Sequence, residues 1–184
     1  MTLTKTPVCN FGEKAKNFNL LSTENKKLTL DDLRGKKGTL IMFICNHCPY
    51  VKAVINEIVQ NCKLLDKDGI KSVAIMSNDP INYPEDSFEN MINFSKRHNF
   101  TFPYLIDKSQ EIAKAYDAVC TPDFFGYNNN LELQYRGRIR ELKDLKSIGN
   151  SESDLLKAMK LIGETGRGPK DQIPSMGCNI KWFK

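Results

Sequence analysis

Two hydrophobic periods take turns along the chain. Polar and apolar residues alternate over Asn17-Phe18-Asn19-Leu20-Leu21-Ser22 and again over Leu28-Thr29-Leu30, with a turn at Glu24-Asn25-Lys26-Lys27. Period-two alternation predicts strands, so this stretch reads as a short hairpin. Asp31 then caps a brief helical turn that Gly35 ends. Thr39 to Ile44 is a continuous apolar run of strand length, the signature of a buried central strand. From Val51 the period changes. Val54, Ile55, Ile58, Val59, Cys62 and Leu65 fall at helical spacing, and Asp68-Gly69 ends the run. Cys62 lies on that apolar face and reads as a small core residue.

The pattern then repeats. Ile70 to Met76 predicts a second strand, followed by a loop over Ser77 to Tyr83. Pro84-Glu85-Asp86 starts a helix to about His98, with Phe88, Met91, Ile92 and Ser95 on one side. His98 reads as a dipole partner or surface residue at its end. Phe102 to Ile106 is a short strand and Ser109 to Tyr116 a short helix. Val119 to Phe125 is strand-like but holds Pro122, which predicts an edge strand or a cis bond at the strand's start. Asn128-Asn129-Asn130 turns the chain back into Leu131 to Tyr135. Ser151 to Asp154 caps a last helix through Leu155, Leu156, Met159 and Ile162. Hairpin, β-α-β-α-β-α, antiparallel hairpin and helix together define an α/β sandwich of thioredoxin type. No repeat or linker divides the chain, so residues 1–184 read as one domain, with residues 163–184 as a C-terminal tail.

Composition narrows the function. With 184 residues, 40% hydrophobic and 27% charged, the chain is long enough for a real core. The net charge of +5 is spread among acidic residues, and no basic block of the kind that grips phosphate backbones is present. Nucleic acid is therefore not an expected partner. No run approaches the roughly 18 apolar residues of a membrane span. The opening Met1-Thr2-Leu3-Thr4-Lys5-Thr6-Pro7 has no apolar signal region, so the expectation is a cytoplasmic protein without a membrane partner.

The chemistry concentrates between the apolar strand and the long helix, in Cys45-Asn46-His47-Cys48-Pro49. Two cysteines at this spacing close a small disulfide ring at a helix start, the geometry of thiol-disulfide exchange. Cys45, at the open helix N-terminus, is expected to be held as a thiolate by unpaired amides and the dipole. His47 is expected to lower that pKa further. Cys45 would attack a substrate disulfide and Cys48 would then release the reduced product. Zinc usually needs a second C-x-x-C or a His pair at defined spacing, so no metal and no cofactor are expected. The competing readings are a thiol peroxidase with Cys45 oxidised first, and a non-enzymatic redox sensor or metal-handling module built on Cys45, His47 and Cys48. Cys120 and Cys178 are read as structural, unless the tail folds back over the motif.

With these residues in view, the chain resembles the peroxiredoxin-like (AhpC/TSA, redoxin-type) branch of the thioredoxin superfamily. The matching pieces are Phe43 to Val51, Ser77-Asn78-Asp79, Tyr83 to Ser87, Phe102 to Asp107, Ala118 to Phe125, Tyr135-Arg136-Gly137 and Gly177 to Trp182. The resemblance implies a redoxin-type strand-helix insertion and an oxidoreductase serving antioxidant or disulfide-exchange chemistry. It implies that Thr121-Pro122 is a cis-proline loop binding substrate peptides in strand fashion. It implies protein or small-molecule thiols and disulfides as partners, with thioredoxin or glutathione as reductant. The chain also departs from the family. Peroxiredoxins carry P-x-x-x-[TS]-x-x-C, but Met42, Phe43 and Ile44 precede Cys45 here, without the Pro or the Thr. Thioredoxins carry W-C-G-P-C and a carboxylate in the preceding strand, and Thr39 to Ile44 has none. These departures favour disulfide exchange over peroxidase chemistry.

Overall fold

The computed structural model describes residues 2–149 and 151–184. Met1 and Asn150 lie outside the described residues. A short first strand, β1 (Leu3–Lys5), precedes the expected hairpin of β2 (Asn19–Ser22) and β3 (Lys27–Thr29), in which Asn19 pairs with Thr29. The helical turn α1 (Leu30–Leu33) is capped by Thr29 rather than Asp31. The Thr29 side chain accepts from the Asp32 N–H, and the Asp32 carboxylate accepts from the Thr29 N–H. A hydroxyl one residue before the first turn reaches those amides, and Asp31, already inside it, does not.

The apolar run forms β4 (Gly38–Phe43), buried along its whole length, and the long helix is α2 (Pro49–Lys67). It starts at Pro49, as proline suits a first turn where its missing N–H has no partner. Then come β5 (Ile70–Met76), one 3-10 turn at Pro84–Asp86, α3 (Phe88–Arg97), β6 (Tyr104–Ile106) and α4 (Glu111–Ala115). The helix expected from Pro84 is therefore broken. Ser87 is extended there and caps α3 by accepting from the Asn90 N–H, and Phe94 rather than Ser95 turns into the core. The Pro122 segment is β7 (Cys120–Thr121) and β8 (Asp123–Asn128), joined across a cis Thr121–Pro122 bond. β9 (Leu133–Tyr135) pairs back on β8. A small hairpin of β10 (Leu142–Lys143) and β11 (Lys146–Ser147), the helix α5 (Asp154–Thr165) and β12 (Met176–Asn179) complete the chain.

The central sheet has the order β3-β2-β6-β5-β4-β8-β9. β4 and β6 run parallel to β5, while β8 and β2 flank this core antiparallel. Both faces of β4 are covered. Leu40, Met42 and Ile44 pack with residues of α2, α3 and α5, and Ile41 and Phe43 pack with residues of α1 and α4. This double burial explains a strand with no polar face. Among the described residues no helix is long and apolar enough to cross a membrane.

The last 22 residues are not a loose appendage. Gly163, read as the start of the tail, lies inside α5 close to β5, where an added Cβ would meet Ile70 Cδ1 at 2.8 Å. The helix ends instead at Gly166, in the left-handed region at φ 74°. The chain then returns as β12 to form a second sheet, β1-β12-β7, at the end of β4 where the cysteine motif lies.

Candidate active site

Cys45 follows the last ladder bond of the central strand, from Ile44 N–H to the Ile75 carbonyl (3.1 Å), and Cys48 is the N-cap residue of α2. Both are buried, at 1% and 0% exposure. Thr121 gathers their sulfurs. Cys45 Sγ lies 3.3 Å from Thr121 Oγ1, and the Cys48 thiol donates to the Thr121 carbonyl at 3.2 Å. The structure thus brings Cys45, Cys48, Thr121 and Pro122 together.

His47 stands slightly apart from the sulfurs, engaged by a carboxylate that the sequence reading treated only as part of a helix start. Asp86, fully buried at the end of the 3-10 turn, pairs through Oδ2 with His47 Nδ1 at 2.6 Å. Its Oδ1 accepts from the backbone N–H of Asn46 (2.8 Å) and His47 (3.3 Å), and its Oδ2 accepts from Asn78 Nδ2 (2.8 Å). The His47 ring stacks on Tyr83, with centroids 5.5 Å apart and planes at 10°. Asn46 is fixed by Tyr104, whose hydroxyl donates to its Oδ1 at 3.0 Å. Two residues between the cysteines are therefore anchored to the loops after β5, which is the physical reason the motif keeps one shape. The signal for Asp86 was its place just after the loop at the C-terminal end of a parallel strand, where α/β sheets collect ligands.

The electrostatics reverse one expectation. Burial pushes the Cys45 thiol well above the ordinary range, aided by its hydrogen bond to Cys48 and by the nearby Asp86 charge. Cys48 is brought down to about 5, chiefly because the Cys45 thiol donates to its sulfur, with burial opposing. The thiol and backbone N–H of Cys178 add further donors. The Val51 amide leans toward the same sulfur without closing a cap hydrogen bond. Of the two sulfurs, Cys48 on the helix N-cap is thus shifted down and Cys45, three residues earlier and outside the helix, is shifted up. His47 is raised above its usual pKa, first by its hydrogen bond to Asp86. Its positive charge is largely matched by that carboxylate, so it does not act as the unopposed cation expected beside Cys45.

Cys45, His47 and Asp86 present ligand atoms within 4.8 Å of one another. Both Asp86 oxygens are already satisfied by donors, so a metal would have to break the hydrogen bonds that hold the motif. Cys48, expected in such a ligand set, is not part of this group. The other candidates lie elsewhere. Cys62 is a core thiol raised to about 12 by burial. His98 caps α3 and packs on Phe94 at 4.5 Å. Cys120 turns toward the Pro122 carbonyl at 3.7 Å. Arg136 is engaged by Asp123 at 3.0 Å and by the Asp117 carbonyl at 2.6 Å.

A dithiol at the end of a central parallel strand, facing a cis-proline beside it, defines a redoxin of the thioredoxin superfamily. The chain belongs to the AhpC/TSA family, whose model matches residues 11–142. It is similar to thiol-disulfide oxidoreductase ResA of Bacillus thuringiensis subsp. konkukian, 30% identical over 128 residues, or 66% of this chain and 66% of that protein. The match spans just under two thirds of that relative's length. An uncharacterized conserved protein from Geobacillus kaustophilus has the same structure, with a TM-score of 0.94, 39% identity, and coverage of 100% and 97% of the two chains. A thiol:disulfide interchange protein of the thioredoxin family from Chlorobium tepidum shares the fold, with a TM-score of 0.64, 18% identity, and coverage of 83% and 97%.

Proposed function

We propose that this protein is a thiol-disulfide oxidoreductase whose redox pair is Cys45 and Cys48. The observation that carries the reading is the meeting of both sulfurs on Thr121, at 3.3 and 3.2 Å, beside the cis-proline. The reduced pair holds one proton between two sulfurs, with Cys45 donating to Cys48. Both sulfurs are buried; the first attack is assigned to Cys45, at the end of the strand, with its proton passing along the S–H···S contact to Cys48. Cys45 forms a mixed disulfide with the substrate, and the substrate's other sulfur leaves as a thiolate. Cys48 then passes the proton to the substrate's released thiolate and attacks Cys45. The intramolecular disulfide forms, the mixed disulfide breaks, and the substrate's second sulfur leaves as a thiolate that takes its proton from water, giving the dithiol. Stabilising the Cys48 thiolate favours the reduced form and makes the disulfide more oxidising.

Protein or small-molecule disulfides are the proposed substrates, with a dithiol of thioredoxin or glutathione type closing the cycle. A cleft of about 500 Å³ beside Pro122, lined by Tyr50, Val54, Ile139 and Pro174 and rimmed by Lys5 and Arg140, supports a substrate with an apolar flank. The ResA likeness supports the same class. Dithiothreitol-driven reduction of insulin tests it. Wild type is expected to turn over and Cys45→Ser to fall to the uncatalysed background; a fully active Cys45→Ser variant rejects the reading. Stopped-flow mixing with hydrogen peroxide is expected to give the slow rate of an ordinary thiol, since Cys45 lacks the preceding Pro and Thr of peroxiredoxins.

A further inference from the structure

The resemblance assigns the edge at Thr121 to an incoming substrate strand, but the chain's own C-terminal strand occupies it. β12 runs antiparallel to β7, with Cys178 opposite Thr121 and Asn179 opposite Cys120. The fit is close. A Cβ on Gly177 would stand 2.0 Å from the Thr121 carbonyl oxygen, so the two backbones meet where only glycine has room. Hydrogen bonds on both sides hold the strand there. Ser175 Oγ donates to the Pro122 carbonyl (2.8 Å), and the Lys181 N–H donates to Asn78 Oδ1 (2.9 Å). The Lys181 carbonyl accepts from the Asp79 N–H (2.8 Å) and from Gln110 Nε2 (2.8 Å). Asn78 in turn donates to Asp86, so the tail and the motif share one network. This register brings the Cys178 thiol into hydrogen-bond contact with the Cys48 sulfur. A peptide added at that edge with its cysteine at the redox pair would have the same arrangement.

We propose that Cys178 is a third redox thiol of this centre, and that β12 is an internal counterpart of a bound substrate strand. The proposal rests on the reading of Cys45 and Cys48 as a redox pair. In the oxidised protein, the Cys178 sulfur loses its proton and attacks Cys48 Sγ. The Cys48–Cys178 bond forms, the Cys45–Cys48 bond breaks, its electron pair stays on Cys45, and the proton ends there. Nothing is oxidised or reduced overall: the two disulfides are isomers. The Cys48–Cys178 isomer ties β12 across the docking edge and leaves Cys45 as a thiol. It is a closed oxidised form that excludes substrate, and return to the Cys45–Cys48 isomer removes the covalent tie and leaves the tail held by its hydrogen bonds alone.

The test uses the full chain in graded glutathione redox buffers, quenched with iodoacetamide and mapped by peptide mass spectrometry. Cys45→Ser is expected to form a Cys48–Cys178 disulfide within one chain, independent of protein concentration, that the double variant Cys45→Ser, Cys178→Ala lacks. Recovery of Cys48 in Cys45→Ser only as alkylated thiol or as a glutathione adduct overturns the proposal. A second readout needs no change at Cys45. In oxidised wild type alkylated in denaturant, a fraction of Cys45 is expected to take the label, and in Cys178→Ala that fraction disappears; denatured oxidised wild type with Cys45 wholly unlabelled also overturns it. The two readings fail separately. A wild type that forms Cys45–Cys48 while Cys45→Ser forms no internal disulfide removes the third thiol alone, whereas a wild type that forms neither disulfide removes the redox pair itself.

Discussion

Cys48 is where the sequence and the site part company at the scale of single residues. The C-x-x-C spacing points to Cys45 as the helix-stabilised thiolate, because the first cysteine stands nearest the strand and the open end of the motif. The helix begins only at Pro49, so its N-cap amides serve Cys48, and Cys45 becomes the donor. The reduced protein is therefore expected to show a thiolate absorbance step at 240 nm centred near pH 5 that Cys48→Ala abolishes; a first step near 9.0, the ordinary thiol value, would place the anion elsewhere. The linkage has a definite sign. The folded pKa of about 5 lies below the unfolded value of 9.0, so this contribution to stability is fully present above 9.0. It is lost as pH falls through about 5. The oxidised protein has no such group, so the urea midpoint of reduced over oxidised protein is expected to rise from pH 5 toward 9.

The elements that announced themselves are those long enough to show a period. β4 and α2 each carry a full apolar pattern, and the residues at their junction follow from it. Shorter pieces carry no such mark. β1 and β12 are three and four residues long with mixed exposure, and each exists only because the other, or β7, is beside it. The approach of Cys178 to Cys48 depends on pairing between positions far apart in sequence, which no local pattern encodes. Asp86 was visible as a letter but not as a ligand of the motif, because its partners Asn46, His47 and Asn78 arrive from other loops. One local letter does speak for β12, the glycine at 177, since the Thr121 carbonyl fills the space a side chain would take. Gly177→Ala must push β12 off β7, and overpacking of this kind costs about 1–3 kcal/mol. Urea titration followed by Trp182 emission, from the chain's single tryptophan three residues beyond β12, is expected to show that loss. A wild-type midpoint would mean that the two backbones do not approach so closely.

At the scale of the whole molecule, the active site and the core are closed by the same segment. β12 shields Cys45 and Cys48, and the next residue, Ile180, is 1% exposed and belongs to the core cluster of Phe18, Phe43 and Tyr116 on the opposite face of the sheet from α2. Its N–H donates to the Val119 carbonyl at 3.2 Å, which ties it to the approach to the cis-proline. Lifting the tail to expose the redox pair therefore also withdraws a plug from the core, and the second event sets the cost of the first. Removing a buried isoleucine side chain to alanine costs about 2–5 kcal/mol. Where that loss falls on an opening that precedes reaction, every roughly 1.4 kcal/mol is a tenfold change in the open population. Ile180→Ala is thus expected to speed native-state alkylation of Cys48 in the reduced protein by at least about tenfold. Core thiols away from the tail provide the internal control. Cys62 lies on α2, and its labelling should follow global unfolding, measured in parallel by urea denaturation. Both should accelerate together, because Ile180 is exposed in either opening, so the discriminating quantity is the rate itself: if Cys48 labels no faster than Cys62 in either protein, the redox pair is reached only by global unfolding. If Cys48 does not accelerate at all, the path to the redox pair does not run under the tail. Acceleration of Cys48 from a wild-type rate already above that of Cys62 would make the strength with which the core holds Ile180 the quantity that sets how often the dithiol meets its substrate.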